Sequence, residues 1–231
     1  YSKTRSSFGA EERFRQTMFT VNSIQNAFPD ADIAIIDSSE DYDEYKFTFM
    51  RYFGCKFVPV KELSQEVFEI VNTHQSKSLC ECLLLNTYFE NYKNEIEQYD
   101  YIVKTCGRYF YSNINDSLFT EQNKDKLFFK RPLEFKWDNS WNYTHVDLRE
   151  TTNKNVLNQY CTVLYAFGAQ HLQKIIDINE TTIHIIKQPL MYHYDIETLS
   201  YYLTRPFAND IIEVDWLVSG WDGTTGRFMH Y

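Results

Sequence analysis

A chain of 231 residues is long enough to bury one large core or two tightly fused halves. Apolar residues at 43% and charged residues at 24% describe an ordinary globular protein, and runs such as 33–36 and 83–85 are too short to cross a bilayer. A net charge of −9 argues against wholesale binding of nucleic acid, which needs a basic face, yet leaves room for one small basic pocket that takes a diphosphate.

The predicted elements begin with a helix over residues 11–28, where Phe14, Met18, Val21, Ile24 and Ala27 recur at steps of three and four. Pro29-Asp30 ends it, and the apolar run 31–36 reads as a strand closed by Asp37-Ser38-Ser39. A helix over 45–52, a strand over 54–60 and a helix over 64–73 follow. The next helix, 79–92, takes Ser78 as its N-cap with Glu81 as the capping-box partner. A strand over 100–104 then stops at Thr105-Cys106-Gly107-Arg108. Helix and strand thus alternate through the first half, which predicts a mostly parallel, doubly wound sheet. Ligands in such sheets sit outside the carboxyl ends of strands, where Asp37 and Gly107-Arg108 fall.

The second half is less regular. Residues 118–136 read as a basic loop or hairpin broken at Arg131-Pro132, 161–166 as a strand and 169–176 as a helix. Residues 183–190 read as a strand ended by Pro189, and 196–203 as a helix. Gly220, Gly223 and Gly226 predict a mobile tail that could fold with Trp221 over a bound ligand, with Trp216 more simply buried. The seam between halves is placed within 112–130, giving a first half 1–115 and a second half 116–231.

The five cysteines (Cys55, Cys80, Cys82, Cys106, Cys161) are odd in number, and Cys80-Glu81-Cys82 is one residue tighter than a zinc-binding C-x-x-C. Reduced thiols and a cytoplasmic location are the expectation. No signal peptide is visible, although a chain opening on Tyr1 leaves an upstream anchor open. Three N-x-[ST] triplets, at Asn115, Asn142 and Asn179, carry little weight in a chain this rich in Asn.

R-F-R-Q-T-M-F-T-V-N-S at 13–23 resembles the opening helix of bacterial and viral polysaccharide glycosyltransferases of the GT-A fold. P-D-A-D-I-A-I-I-D-S-S at 29–39 is similar to their second strand. K-S-L-C-E-C-L-L-L at 77–85, followed by Y-D-Y-I-V-K-T-C-G-R-Y-F at 99–110, resembles the helix and strand that end in their donor-sugar region. The likeness covers about residues 11–112 well and the rest loosely. It implies an α/β, Rossmann-like GT-A domain whose mostly parallel sheet is flanked by helices. The first half would bind the nucleotide sugar and the irregular second half the acceptor.

The resemblance also assigns roles. Asp37 and Ser38 would receive the base or ribose of the donor, Lys77 and Ser78 the diphosphate or a sugar hydroxyl at a helix N-terminus, and Glu81 the donor sugar. The bland alternatives are a loop Asp, an N-cap beside a solvated Lys, and a capping-box Glu. Where many such enzymes carry a metal-holding D-x-D, this chain has Thr105-Cys106-Gly107-Arg108. Lys104 and Arg108 would then neutralise the leaving diphosphate, with Gly107 allowing close approach, or the stretch is a plain surface turn. Asp30-Ala31-Asp32 and Asp41-Tyr42-Asp43 match D-x-D literally but fall in the wrong places. Manganese or magnesium stays possible, and no metal ligands are assigned.

His193-Tyr194-Asp195-Ile196-Glu197 opens a helix, where a carboxylate could accept the acceptor hydroxyl's proton. Asp195 is slightly favoured over Glu197, against simple capping by both. His145, His171 and His184 show no ligand spacing. The expected function is transfer of a hexose or pentose from a nucleoside-diphosphate sugar to a glycan acceptor, with inversion, no nucleic-acid partner and possible peripheral membrane association. The alternatives are a non-catalytic carbohydrate- or protein-binding module, or a sugar-phosphate nucleotidyltransferase, which would be expected to show a Gly-rich basic loop that this chain lacks.

Overall fold

Helix α1 (Ala10–Ala27) forms on the predicted apolar stripe: Val21 is buried, and Phe14 stacks on Tyr45 with ring centroids 4.7 Å apart. The architecture is that of a computed structural model, which describes residues 6–40, 42–114, 116–136, 156–188, 194–223 and 226–230. Strand β1 (Ala34–Asp37), helix α2 (Asp43–Phe53) and strand β2 (Lys56–Pro59) make a βαβ unit with the two strands parallel. Gly54 ends α2 at φ 63°, a left-handed cap that favours glycine. Two short helices follow, α3 (Val60–Leu63) and α4 (Gln65–Thr73), and then the long α5 (Lys77–Asn91) and the single turn α6 (Lys93–Ile96).

The capping serine of α5 is Ser76, not Ser78: its hydroxyl accepts from the Leu79 N–H at 3.2 Å. The helix starts two residues earlier than the apolar run suggests, because Lys77 and Ser78 form its first turn. That frees the Ser78 side chain for another element.

Strand β3 (Tyr101–Thr105) turns sharply through Cys106–Arg108 into β4 (Tyr109–Asn113), with the Arg108 N–H donating to the Cys106 carbonyl at 2.9 Å. Strands β5 (Leu127–Lys130), β6 (Leu133–Lys136), β7 (Val156–Gln159) and β8 (Leu164–Gly168) precede helices α7 (Leu172–Ile186) and α8 (Ile196–Thr204). Strands β9 (Ile211–Val214), β10 (Leu217–Trp221) and β11 (Phe228–His230) complete the described order.

The central sheet runs β3-β8-β5-β9, with smaller sheets β11-β10-β4, β1-β2 and β6-β7. Both faces of the central sheet are covered, which is why β5 and β8 read as continuous apolar runs. Leu127 and Phe129 face the cluster with α5 and α7, while Phe128 faces Trp216 and Tyr109 on the other side, as a period of two requires. Trp216 is buried there, as expected.

An α/β class is what the structure shows, and the mostly parallel sheet expected from the sequence does not appear. Among the described residues β1–β2 and β5–β9 are parallel, whereas β3–β8, β5–β8, β4–β10, β10–β11 and β6–β7 are antiparallel. First-half strands β3 and β4 therefore pair with second-half strands β8 and β10.

Two local readings change. Residues 183–186 belong to the end of α7, not to a strand, and 189–190 lie outside the described residues. The β-branched run favours a strand locally, but packing on α5 overrides it. Thr182 and Ile186 are buried one turn apart, and Asn179 donates to the buried Asn86 at 2.8 Å. The glycine-bearing tail is a β-hairpin in its described part: Gly220 sits in β10, where a Cβ would lie 2.3 Å from the Arg108 carbonyl oxygen. That glycine serves close strand approach.

Gly168 is tighter still, since an added Cβ would fall 1.6 Å from the Lys124 carbonyl oxygen. Gly168→Ala is expected to cost about 2–3 kcal/mol by overpacking against backbone. A urea midpoint equal to that of the parent would contradict this fit.

Candidate functional site

Five of the residues singled out in the sequence meet where β3, α5 and the start of α8 converge. Lys104 lies on β3 with its side chain buried, only 7% of the residue being exposed. Its ammonium donates to Glu81 on α5, to the Thr162 carbonyl at 2.6 Å, and lies 3.5 Å from the Cys106 sulfur. Burial alone would lower the Lys104 pKa, but the facing Cys106, Glu81 and Tyr165 groups outweigh it and hold the pKa well above its ordinary value. Burial pushes the Cys106 thiol and the Tyr165 hydroxyl up, so near neutrality the Glu81 carboxylate carries that attraction.

Thr162 couples this pair to α8. Its carbonyl accepts from Lys104 while its hydroxyl donates to Glu197 Oε1 at 3.1 Å. Burial, reinforced by the charges of Asp195 and Glu81, raises the Glu197 pKa from 4.5 to about 7; its own backbone N–H and Thr162 pull the other way without prevailing. A carboxyl that changes charge near neutral pH is suited to take and return a proton.

Asp195 is differently employed. One of its oxygens accepts the Thr198 N–H at 2.7 Å as the N-cap of α8, and the other accepts from Gln159 Nε2 at 3.0 Å. Ser78 Oγ accepts the Ile196 N–H at 3.0 Å, so a serine from α5 satisfies another free donor of α8. These bonds fix the first turn of α8, and Glu197 with it. Asp195, slightly favoured as the base from the sequence, is engaged in capping, whereas Glu197 is held by the Thr162 hydroxyl.

The other candidates lie apart from this network. Asp37, at the end of β1, accepts the Ser39 N–H at 2.8 Å and faces the Ser39 hydroxyl at 3.2 Å, while the Ser38 carbonyl accepts from Asn72 on α4 at 3.0 Å. Lys77 is exposed in the first turn of α5. The Gly107 carbonyl accepts from Thr17 on α1 at 3.0 Å, and the Arg108 guanidinium packs against Gly223. Arg108 Nε is buried with no hydrogen-bond partner among the described residues, and its charge is felt at Cys106. Of the two cations expected to face a diphosphate, Lys104 is committed to Glu81 and Arg108 keeps a donor unfilled.

Neither protein-family models nor curated proteins match this chain.

Among the described residues, no three His, Cys, Asp or Glu side chains gather in a way that could hold a metal ion. Asp32 of the first literal D-x-D accepts from Tyr99 at 2.7 Å, and Asp41 of the second lies outside the described residues, as do His145 and His193. His171 Nε2 lies 2.7 Å from the Asp125 carbonyl, and His184 is beside Gln188, both peripheral. No described helix is long and apolar enough to cross a membrane.

Sequence reasoning missed Thr162, Gln159 and Ser76. Thr162 lies in the turn Cys161–Val163, and nothing local in Tyr-Cys-Thr-Val marks it as the link between Lys104 and Glu197. Only the pairing of β8 with β3 brings it there.

Proposed function

We propose that this protein is a glycosyltransferase that moves a sugar from a nucleoside-diphosphate sugar to a hydroxyl of a glycan acceptor, with inversion. The observation that carries the reading is Glu197, a half-buried carboxyl with a pKa raised to about 7 on a helix turn fixed from two sides. In the proposed step the acceptor oxygen attacks the anomeric carbon and its proton passes to Glu197. The bond from that carbon to the diphosphate breaks, and the diphosphate leaves with the electron pair. Arg108, half-buried just past β3, would receive the diphosphate through its guanidinium, and Asp37 with Ser38 at the end of β1 would meet the nucleoside. Lys104 would act one step back by holding Glu81 and Thr162 in place. Positioning and charge stabilisation would supply most of the rate.

Calorimetric titration with UDP, GDP, CDP and TDP, each with manganese and again with chelator, tests the reading. One diphosphate is expected to bind with a clear preference, and Arg108→Gln to weaken it by about tenfold or more through loss of a charge-assisted bond. Binding that survives chelator would assign the charge neutralisation to Arg108, and binding lost with chelator would assign it to a metal. No binding of any nucleotide under either condition would overturn the proposal.

A further inference from the structure

The β11-β10-β4 sheet has two unlike faces. Tyr109 pairs with Gly220 and Tyr111 with Val218, and these residues turn inward, Tyr109, Tyr111 and Val218 being buried in the cluster around Trp216. A period of two then turns their neighbours outward: Phe110 on β4, Ser219 and Trp221 on β10, and Phe228 and His230 on β11. Ser219 lies in register with Phe110 on one side and with His230 on the other, and Trp221 lies in register with Phe228. The outward residues therefore form one contiguous patch across three strands.

The rings of this patch touch one another. Trp221 and Phe228 have centroids 5.1 Å apart, Phe110 and Phe228 5.8 Å, and Phe110 and Trp221 6.0 Å. They are not a hidden core, since Phe228 is 43% exposed and Phe110 and Trp221 are half-buried. A cross-strand aromatic pair stabilises a hairpin, and Trp221 with Phe228 supplies that pair. Phe110, Ser219 and His230 extend the patch beyond it. Ser219 Oγ lies 2.9 Å from His230 Nδ1, which sets a hydroxyl and an imidazole beside the rings and leaves His230 Nε2 for a ligand. Trp221 is fixed in place: its N–H donates to the Arg108 carbonyl at 3.2 Å.

Composition and size select the ligand. None of these outward residues carries a carboxylate or a permanent cation, so the patch offers nothing to a phosphate backbone or an anionic membrane. Two strand spacings by five residues give a footprint of about 10 by 15 Å. That is far short of the roughly 800 Å² that each partner buries in a stable protein interface. An uncharged sugar ring fits both limits. One side of it presents polarised C–H groups to the negative face of an aromatic ring, and its rim presents hydroxyls to a hydroxyl and an imidazole. The patch also starts beside Arg108, whose carbonyl ties Trp221 and whose guanidinium lies against Gly223.

We propose that this outer sheet face is a carbohydrate-binding surface, on which Phe110, Trp221 and Phe228 stack on the C–H sides of an uncharged glycan while Ser219 and His230 bond its hydroxyls. Sugar units lying there extend away from Arg108, so the face supports the acceptor chain. That role rests on the glycosyltransferase reading, whereas binding of a glycan to this face does not.

The test titrates the intact protein, without nucleotide, with cellohexaose, xylohexaose, mannohexaose and N-acetylchitohexaose, and follows the tryptophan indole resonances. At least one of these is expected to bind, moving the Trp221 signal and leaving that of the buried Trp216 in place. Phe228→Leu keeps an apolar contact within the hairpin and removes the aromatic face. It is expected to weaken binding by about fivefold to tenfold, and Trp221→Leu by at least as much. An unmoved Trp216 signal in each variant shows that the sheet stays folded. No binding of any of the oligosaccharides, binding that leaves the Trp221 signal in place, or parental affinity in both variants would each overturn the proposal. So would concentration-dependent dimerisation abolished by Trp221→Leu, since the face would then join two copies. Nucleotide binding without oligosaccharide binding would sink this inference and spare the transferase reading, and the reverse result would do the opposite.

Discussion

Lys104→Met is expected to lower the unfolding free energy by about 2–4 kcal/mol, read as a fall in urea midpoint at unchanged slope. The substitution keeps the length of the apolar stem and removes the ammonium, so the loss comes from the partners left behind. Glu81 keeps a carboxylate facing a buried site, and the Thr162 carbonyl loses its donor. Breaking a fully buried pair typically costs about 3–5 kcal/mol, and the Glu81 side chain, 30% exposed, recovers part of that by hydration. Lys104→Met with Glu81→Leu is expected to restore about half of the loss, because no charge then stays behind unpaired. The pair also has a pH signature. A lysine whose folded pKa is raised contributes fully below its unfolded pKa and loses that contribution only as pH rises through the folded value, so the cost of Lys104→Met should be flat from pH 5 to about 9. A single mutant as stable as the parent, or a double mutant worse than the single, would show that the ion pair does not hold β3 to α5.

The first half of the chain was legible because its signals are local. The stripe of Phe14, Met18 and Val21 and the short apolar runs at β1 and β2 fix α1 and the βαβ unit within a few residues. Strand direction was not legible. Alternation of helix and strand predicts parallel neighbours, but β3 leaves through the tight Cys106–Arg108 turn, and β8 then pairs with it in the opposite sense. The run at 183–186 misled for a related reason: its isoleucines favour a strand locally and are helical because α7 packs on α5.

The site was half legible. Glu81, Lys104, Asp195, Glu197 and Ser78 were each singled out, and they do converge, but their division of labour depends on contacts over 23 to 118 positions of sequence. That Asp195 is held in capping α8 while Glu197 turns to the Thr162 hydroxyl depends on Gln159 and Thr162, which carry no motif.

Glu197→Gln is expected to stabilise the protein above neutral pH and, on the proposed function, to remove sugar transfer. Glutamine keeps an oxygen to accept the Thr162 hydroxyl and carries no charge into the buried turn. In the parent, the native carboxyl keeps its proton up to about pH 7 and the unfolded one releases it near 4.5. Between those values the native state binds more protons, so stability falls as pH rises, by at most roughly 3 kcal/mol for such a shift. Glu197→Gln abolishes that fall. With partial hydration taken into account, the gain at pH 8 is expected to be about 1–2 kcal/mol, a rise of roughly 2–8 °C in Tm. Sugar transfer should drop by about 10²–10⁴ if Glu197 is the base, and the parent rate should climb through about pH 7 as Glu197 loses its proton. Asp195→Ala separates capping from catalysis. It should cost about 1 kcal/mol near neutral pH and move the midpoint of the rate profile below that of the parent, because the Asp195 charge helps to raise the Glu197 pKa, while transfer itself persists. If Glu197→Gln leaves the slope of stability between pH 5 and 7 unchanged, the Glu197 carboxyl is not the group that titrates there. If it flattens the slope but spares transfer, Glu197 is a strained structural residue and the proton goes elsewhere.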